Sequence, residues 1–464
     1  MSQAKKLKAT KQKKNESSCL LSPYDGISFD IDPFGAQYLF KYLLLSQIFV
    51  YMEAGVVPSL LEQFKITFSL TPQLLGLLGA IVYITLSIAT PLVIYLFRTK
   101  SARFVLGWSL VCNAIGLLLF AFTPVGYSFS TTFFILSRGI IGFSQAFLSV
   151  FAPLWIHEYC PKEGRASSMG YLQASIPIGV TFGYFIGSIA IWCSKKPAGC
   201  YFMLCWRWPL LFPLLGIIPI ALCTFFIPKK HILIMDDHWK FSSSSYTGLV
   251  KLLSQPVFTS VVLGLSAVFF VVTGIQYWVT LFLSTNTNDS AYVVHIGYIM
   301  VAGTGPILGL VFGGWLIDAT GGYTGAVQEA KALGICLALG SISALAAIPP
   351  SFLSDTYSIG FFLWIMLFCG GSVLPACSGI VISSVPTDLR PLASSVAATS
   401  YNLLGFAASN YIPGLIMSFV VVDNAVCDQA CLYRLGFRVV LAWSLWAVLF
   451  IFAAWRCSCK KANM

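Results

Sequence analysis

Charge is what this chain has least of. Asp, Glu, Lys and Arg together make up 10% of its 464 residues, against 57% apolar ones, and mean hydropathy is +0.82. A soluble monomer of that composition is excluded, because there is too little polar surface to face water. Acids are the scarcer sign, 17 in all, and histidine occurs four times. No two carboxylates pair within an apolar run. The sequence also lacks H-E-x-x-H, G-x-S-x-G, a C-x-x-C with partner ligands and a Gly-rich loop followed by Lys. Their absence excludes the common zinc, acyl-transfer and phosphate-binding catalysts. No enzyme activity, cofactor or metal site is expected. No cleavable signal peptide is expected either, since the first apolar run begins only near residue 39 and is too long for one.

What the chain has instead is apolar length. Runs near 39–61, 72–97, 104–123, 131–154, 167–192, 207–228, 255–284, 293–317, 327–347, 358–384, 393–421 and 436–455 each reach the roughly 20 residues that a bilayer-crossing helix needs. The expected fold is an all-α membrane protein of twelve transmembrane helices. The longest polar interruption divides it into a basic tail (1–38), a six-helix bundle (39–228), a linker (229–254), a second six-helix bundle (255–455) and a short tail (456–464). The linker's Ser242–Ser245 reads as flexible, and His231–Lys240 as an amphipathic stretch along the membrane surface.

The net charge of +11 does not imply nucleic acid, because the basic residues fall on one side of the spans. With both termini cytoplasmic, 20 Lys and Arg lie inside and six outside, with Lys41 and Arg138 in the spans. The positive-inside rule then fixes the orientation. Cys193 and Cys200 fall in the outer loop between spans 5 and 6, and Cys427 and Cys431 in that between spans 11 and 12. These four are disulfide candidates on the oxidising side; reduced, small apolar thiols are the alternative. The sequon Asn288-Asp289-Ser290 is also outside and makes Asn288 a glycosylation candidate, whereas Asn15 lies in the cytoplasmic tail.

Within the spans, Glu53 is the one deeply placed acid and Arg138 the one base at comparable depth. Span 1 runs outward and span 4 inward, which puts both about 10–12 Å below the outer surface. An isolated charge there costs at least ~2.5–3.5 kcal/mol, so the two are expected to pair. Arg138 would bind an anionic headgroup and release Glu53 to take a proton; a permanent structural pair is the alternative. Asn402, from the polar set on span 11, and Tyr51 are further candidates for substrate contact. His295 is expected to be interfacial and uncoupled.

Between spans 8 and 9, Gly314-x-x-x-Asp318-x-x-Gly321 resembles the loop signature of the major facilitator superfamily. The equivalent loop between spans 2 and 3 keeps its basic residues, including Arg103, but has Arg98 where an acid is expected. Two bundles with this element in equivalent loops imply a duplicated transporter, with Asp318 capping or pairing with a neighbouring helix end. Gly179, Gly183 and Gly187 on span 5, and Gly305, Gly309 and Gly313 on span 8, form stripes for close helix packing. In that superfamily these two spans meet across the halves.

Several stretches are similar to the Spinster family within the superfamily: Ala54-Gly55-Val56-Val57-Pro58, Arg138-Gly139-Ile140-Ile141-Gly142, Ile176-Pro177 through Gly187-Ser188, Trp206-Arg207-Trp208, and Leu403-Leu404-Gly405 through Ser409. The resemblance implies alternating access and movement of a single-chain lipid, such as a lysophospholipid or a sphingoid phosphate. It also implies a lysosome-like, endomembrane or plasma-membrane location. The chain departs from the family in having Phe49 where span 1 carries an Asp and Gln145 where span 4 carries a Glu. Glu53, one turn from Phe49, is the candidate substitute. Proton coupling, uniport, another driving ion, a different organic anion or drug, and a receptor without transport all stay open.

Overall fold

A computed structural model describes residues 33–160, 165–194, 206–228, 231–232, 245–386, 389–422 and 428–462. Twelve helices are long and apolar enough to span a membrane: α1 Gly35–Ser59, α2 Pro72–Phe97, α3 Ala102–Ala121, α4 Ser130–Ile156, α5 Ser168–Cys193, α6 Trp208–Phe226, α7 Pro256–Asn286, α8 Ala291–Ala319, α9 Ala326–Ser351, α10 Thr356–Ser383, α11 Leu392–Val420 and α12 Gln429–Ala462. The chain is a twelve-span, all-α integral membrane protein. Below, the end carrying the α1–α2 turn is called outer, after the charge distribution.

Each helix forms because its backbone has no other partner in lipid, and the ends are set by capping. Thr71, Ser290, Asp355 and Asp428 accept hydrogen bonds from the backbone N–H three residues on, at the starts of α2, α8, α10 and α12. The Asp428 cap explains why α12 begins at Gln429 rather than near 436. At its other end α12 runs to Ala462, so residues 456–462 are helical. There Ser458 Oγ donates to the buried Glu329 Oε1 (2.8 Å), and Lys461 Nζ lies 3.6 Å from Glu329 Oε2. These contacts carry the helix past its last apolar residue. The helix that carries the span α1 likewise extends back to Pro33, ahead of the apolar run, because proline suits a first helical position.

The two glycine stripes do pack helices closely, but each does so inside its own bundle. A Cβ at Gly183 would overlap the Met52 carbonyl oxygen of α1, and one at Gly309 the Phe368 carbonyl oxygen of α10. The stripes therefore join α5 to α1 and α8 to α10; they do not face each other. Contact between α5 and α8 is made by other residues. The linker begins docked on the first bundle, where Trp155 Nε1 donates to the His231 carbonyl (2.8 Å) and the His231 ring covers Gly35. A short helix, Ser245–Leu253, ends it. The basic N-terminal arm, the rest of the amphipathic stretch (233–240) and Ser242–Ser244 lie outside the described residues.

Candidate functional site

Arg138 Nε lies 3.2 Å from Glu53 Oε1, with both side chains almost wholly buried (4% and 1% exposed). α1 and α4 bring them together near one depth: Glu53 is six residues from the outer end of α1 and Arg138 eight from that of α4, or about 9 and 12 Å at 1.5 Å per residue. The pair is close without being fully bonded. Both Glu53 oxygens, Arg138 Nε and Arg138 Nη1 are buried with no aligned hydrogen-bond partner among the described residues. Coulomb attraction holds the two groups, and four of their polar atoms are left without a hydrogen bond in this packing.

Aromatic side chains surround this pair. The Arg138 guanidinium carbon is 6.0 Å from the Phe120 ring centre on α3, and the phenols of Tyr83 (α2) and Tyr277 (α7) lie within electrostatic reach of both charges. Tyr83 in turn is within reach of Tyr51. On the inner side, Tyr83 stacks on Phe406 of α11 (5.1 Å between ring centres), Phe406 meets Phe269 of α7 (5.0 Å), and Phe269 meets Tyr401 (5.1 Å). An anionic group at Arg138 would thus have an apolar wall running inward from it.

Hydrogen bonds between the bundles gather at the outer end. Tyr184 Oη and Thr280 Oγ1 are 2.7 Å apart, Ser188 Oγ and His295 Nδ1 2.8 Å, and Tyr277 Oη donates to the Leu75 carbonyl at 2.6 Å. Gln73 donates from Nε2 to Tyr411 Oη (3.0 Å) and from its backbone N–H to Ser418 Oγ (2.9 Å). Lys65, on the short helix Leu61–Phe68, bonds Gln429 and covers the Tyr433 ring. The pair and its aromatic wall therefore sit beneath a sealed outer end. His295 belongs to that seal: it is 3% exposed and wedged by Tyr184 and Ser188, so the interfacial position expected from sequence is corrected. Its place in the first turn of α8 suggested the membrane surface, but α5 covers that turn.

Gln145 is buried and donates from Nε2 to the Val50 carbonyl (3.0 Å), tying α4 to α1 away from the pair. Phe49, at the family's acid position, presses its ring on Gly216 of α6. Asn402 and Tyr51 are half-buried, and Asn402 makes no side-chain hydrogen bond among the described residues. The Asp318 side chain is exposed and makes no pair among the described residues, and the end of α8 is closed by backbone bonds from Thr320, Gly321 and Gly322. Gly314 has open space around it and Arg103 is half-buried, while the Arg98 side chain is not described. Cys193 is a free, exposed thiol held by the last turn of α5, with no thiol beside it among the described residues, and Cys431 is disulfide-bonded. Cys200 and Cys427 lie outside the described residues. Asn288 is exposed in the α7–α8 turn. Sequence reasoning missed Tyr83, Tyr277, Phe269, Phe406 and the Ser188–His295 bond. Only their polarity or aromaticity within a span marks them, and many other residues share that.

A family model for the Major Facilitator Superfamily matches residues 43–409. Protein spinster homolog 3 of Mus musculus is 25% identical over 404 residues, covering 81% of this chain and 73% of that protein. Sphingosine-1-phosphate transporter SPNS2 of Xenopus tropicalis is 26% identical over 417 residues, covering 84% and 75%. Among solved structures, a bacterial homolog of the human lysosomal transporter Spinster, inward-facing and unoccupied, superimposes with a TM-score of 0.73 at 17% identity, covering 92% of this chain and 98% of that one. A D-xylose-proton symporter does so with 0.66 at 16%, covering 90% and 97%.

Proposed function

Because this chain belongs to the major facilitator superfamily, we propose that it is an alternating-access carrier of a single-chain lipid anion, a lysophospholipid or sphingoid phosphate, with both termini cytoplasmic. The buried but incompletely bonded Glu53–Arg138 pair carries this reading. A phosphate oxygen entering from the inner side meets a guanidinium that already has unused donors, and the Tyr83–Phe406–Phe269 wall accepts an acyl chain. Once Arg138 turns to the phosphate, the Glu53 carboxylate loses its counter-charge inside an apolar site and takes up a proton to become neutral. Return of Arg138 to Glu53 releases that proton. The relative named for sphingosine-1-phosphate transport supports the substrate class, and the closed outer end fits an inward-facing state.

One observation favours uniport as a second reading. Phe49 and Gln145, which stand at the family's titratable positions, are fixtures of packing and backbone bonding, so Glu53 alone would have to hold the proton. Uptake of labelled sphingoid phosphate and lysophospholipid into proteoliposomes, run against carboxylates and sugars as competitors, tests the proposal. Competition by single-chain lipids supports it; flux of carboxylates or sugars with no lipid flux overturns it.

A further inference from the structure

Among the described residues, α11 is the one span that changes helix type midway. It is α-helical through Ser400, π-helical over Tyr401–Ala407 and α-helical again from Ala408, whose N–H reaches back five residues to the Leu403 carbonyl. The flanking dihedrals are ordinary (Ser400 φ −61°, ψ −43°; Ala408 φ −62°, ψ −37°) and the segment contains no proline. Its register is therefore held by packing. Gly405 closes on α7, where a Cβ would stand 3.1 Å from the Ser266 carbonyl oxygen, and Phe406 is clamped between Tyr83 and Phe269.

A π segment holds one more residue than the α-helix that would replace it, so conversion to α turns everything beyond it by about 100°. Everything by which α11 seals the outer end lies beyond it. Tyr411 and Ser418 bond Gln73, the Asn410 backbone rests on Gly76, and Gly414 rests on Pro72. One side-chain polar atom of α11 is unsatisfied in the present register: Asn410 Oδ1 is buried, in a residue 2% exposed, with no donor among the described residues. A buried acceptor without a donor is costly, so the present register of α11 leaves one of its own polar groups uncompensated.

We propose that Tyr401–Ala407 is the joint that holds the outer seal shut, and that its passage from π to α opens that end by turning Ala408–Val422 off α2. The inference rests on the carrier reading for its purpose. Asn402 and Phe406 lie within the joint, so a molecule bound against them bears directly on it.

The test is the yield of a disulfide cross-link between Gln73→Cys and Ser418→Cys in the full-length protein, in a background lacking other exposed cysteines. Deleting Leu404, which is exposed and so takes little packing with it, removes the extra residue. The cross-link is expected to form readily in the native register and to fall about tenfold in the deletion. Reinserting an alanine between Ala407 and Ala408 is expected to restore it. A deletion variant that cross-links like the parent overturns the proposal, as does a reinsertion that restores nothing. If the deletion does not reach the membrane, Gly405→Ala takes its place: its Cβ meets Phe269 at 3.0 Å and Ser266 at 3.1 Å, so a lowered yield supports the joint and an unchanged one overturns it. The assay needs no substrate, so a failure of lipid flux would defeat the carrier reading while leaving this result standing.

Discussion

In the proposed carrier, Glu53 and Arg138 are the side chains on which the chemistry turns. Arg138→Gln leaves Glu53 buried and unpaired, a loss of about 3–5 kcal/mol if it stays charged, so the carboxyl takes a proton instead. At matched surface level, lipid flux is expected to fall about tenfold or more; native flux would make the pair a packing element. This pair was legible in the sequence because charges within spans are few and lipid forces them together. Its neighbours were not. Whether Tyr83 or Tyr277 faces Arg138 depends on the rotation of α2 and α7 about their axes, which only the packed bundle fixes. The same applies to His295, whose first-turn position in α8 says nothing of Ser188 opposite it.

The spacing of glycines along one helix was readable, but the neighbour that fills the groove was not. Gly183 and Gly314 separate the two cases, since the first abuts the Met52 carbonyl and the second has nothing near it. Gly183→Val is expected to abolish surface expression or cost several kcal/mol through backbone displacement, whereas Gly314→Ala should stay within about 0.5 kcal/mol; thermal unfolding in detergent compares them. At the start of α10, the Ser358 backbone N–H bonds the Asp355 carboxylate and holds it below the usual carboxylate range. A carboxyl depressed by folding stabilises above its unfolded pKa and stops doing so as pH falls through the folded one. Asp355→Ala is therefore expected to lower the melting temperature at pH 7, and the difference should close below about pH 3.9. The π segment of α11 had no sequence mark, for no proline or glycine pair breaks Tyr401–Ala407.

For the whole molecule, twelve spans in two sets of six followed from hydropathy, because lipid tolerates little else. The ends of α1 and α12 ran past the apolar runs, since capping and surface contacts, not hydropathy, decide where they stop. Which end is sealed could not be read from one sequence, as a carrier of the proposed kind would form both states from the same chain. Cysteines at Ser188 and His295, whose side chains meet at 2.8 Å, should cross-link the bundles and stop flux, with recovery on reduction; flux that persists through the cross-link would contradict alternating access. The most direct measurement is proteoliposome uptake of labelled lysophospholipid and sphingoid phosphate, with and without an imposed pH gradient, for the native chain and Glu53→Gln. Flux that follows the gradient in the native chain and loses that dependence in Glu53→Gln is the expected result. Lipid flux indifferent to both the gradient and Glu53, or none at all, would contradict a lipid carrier coupled through this pair.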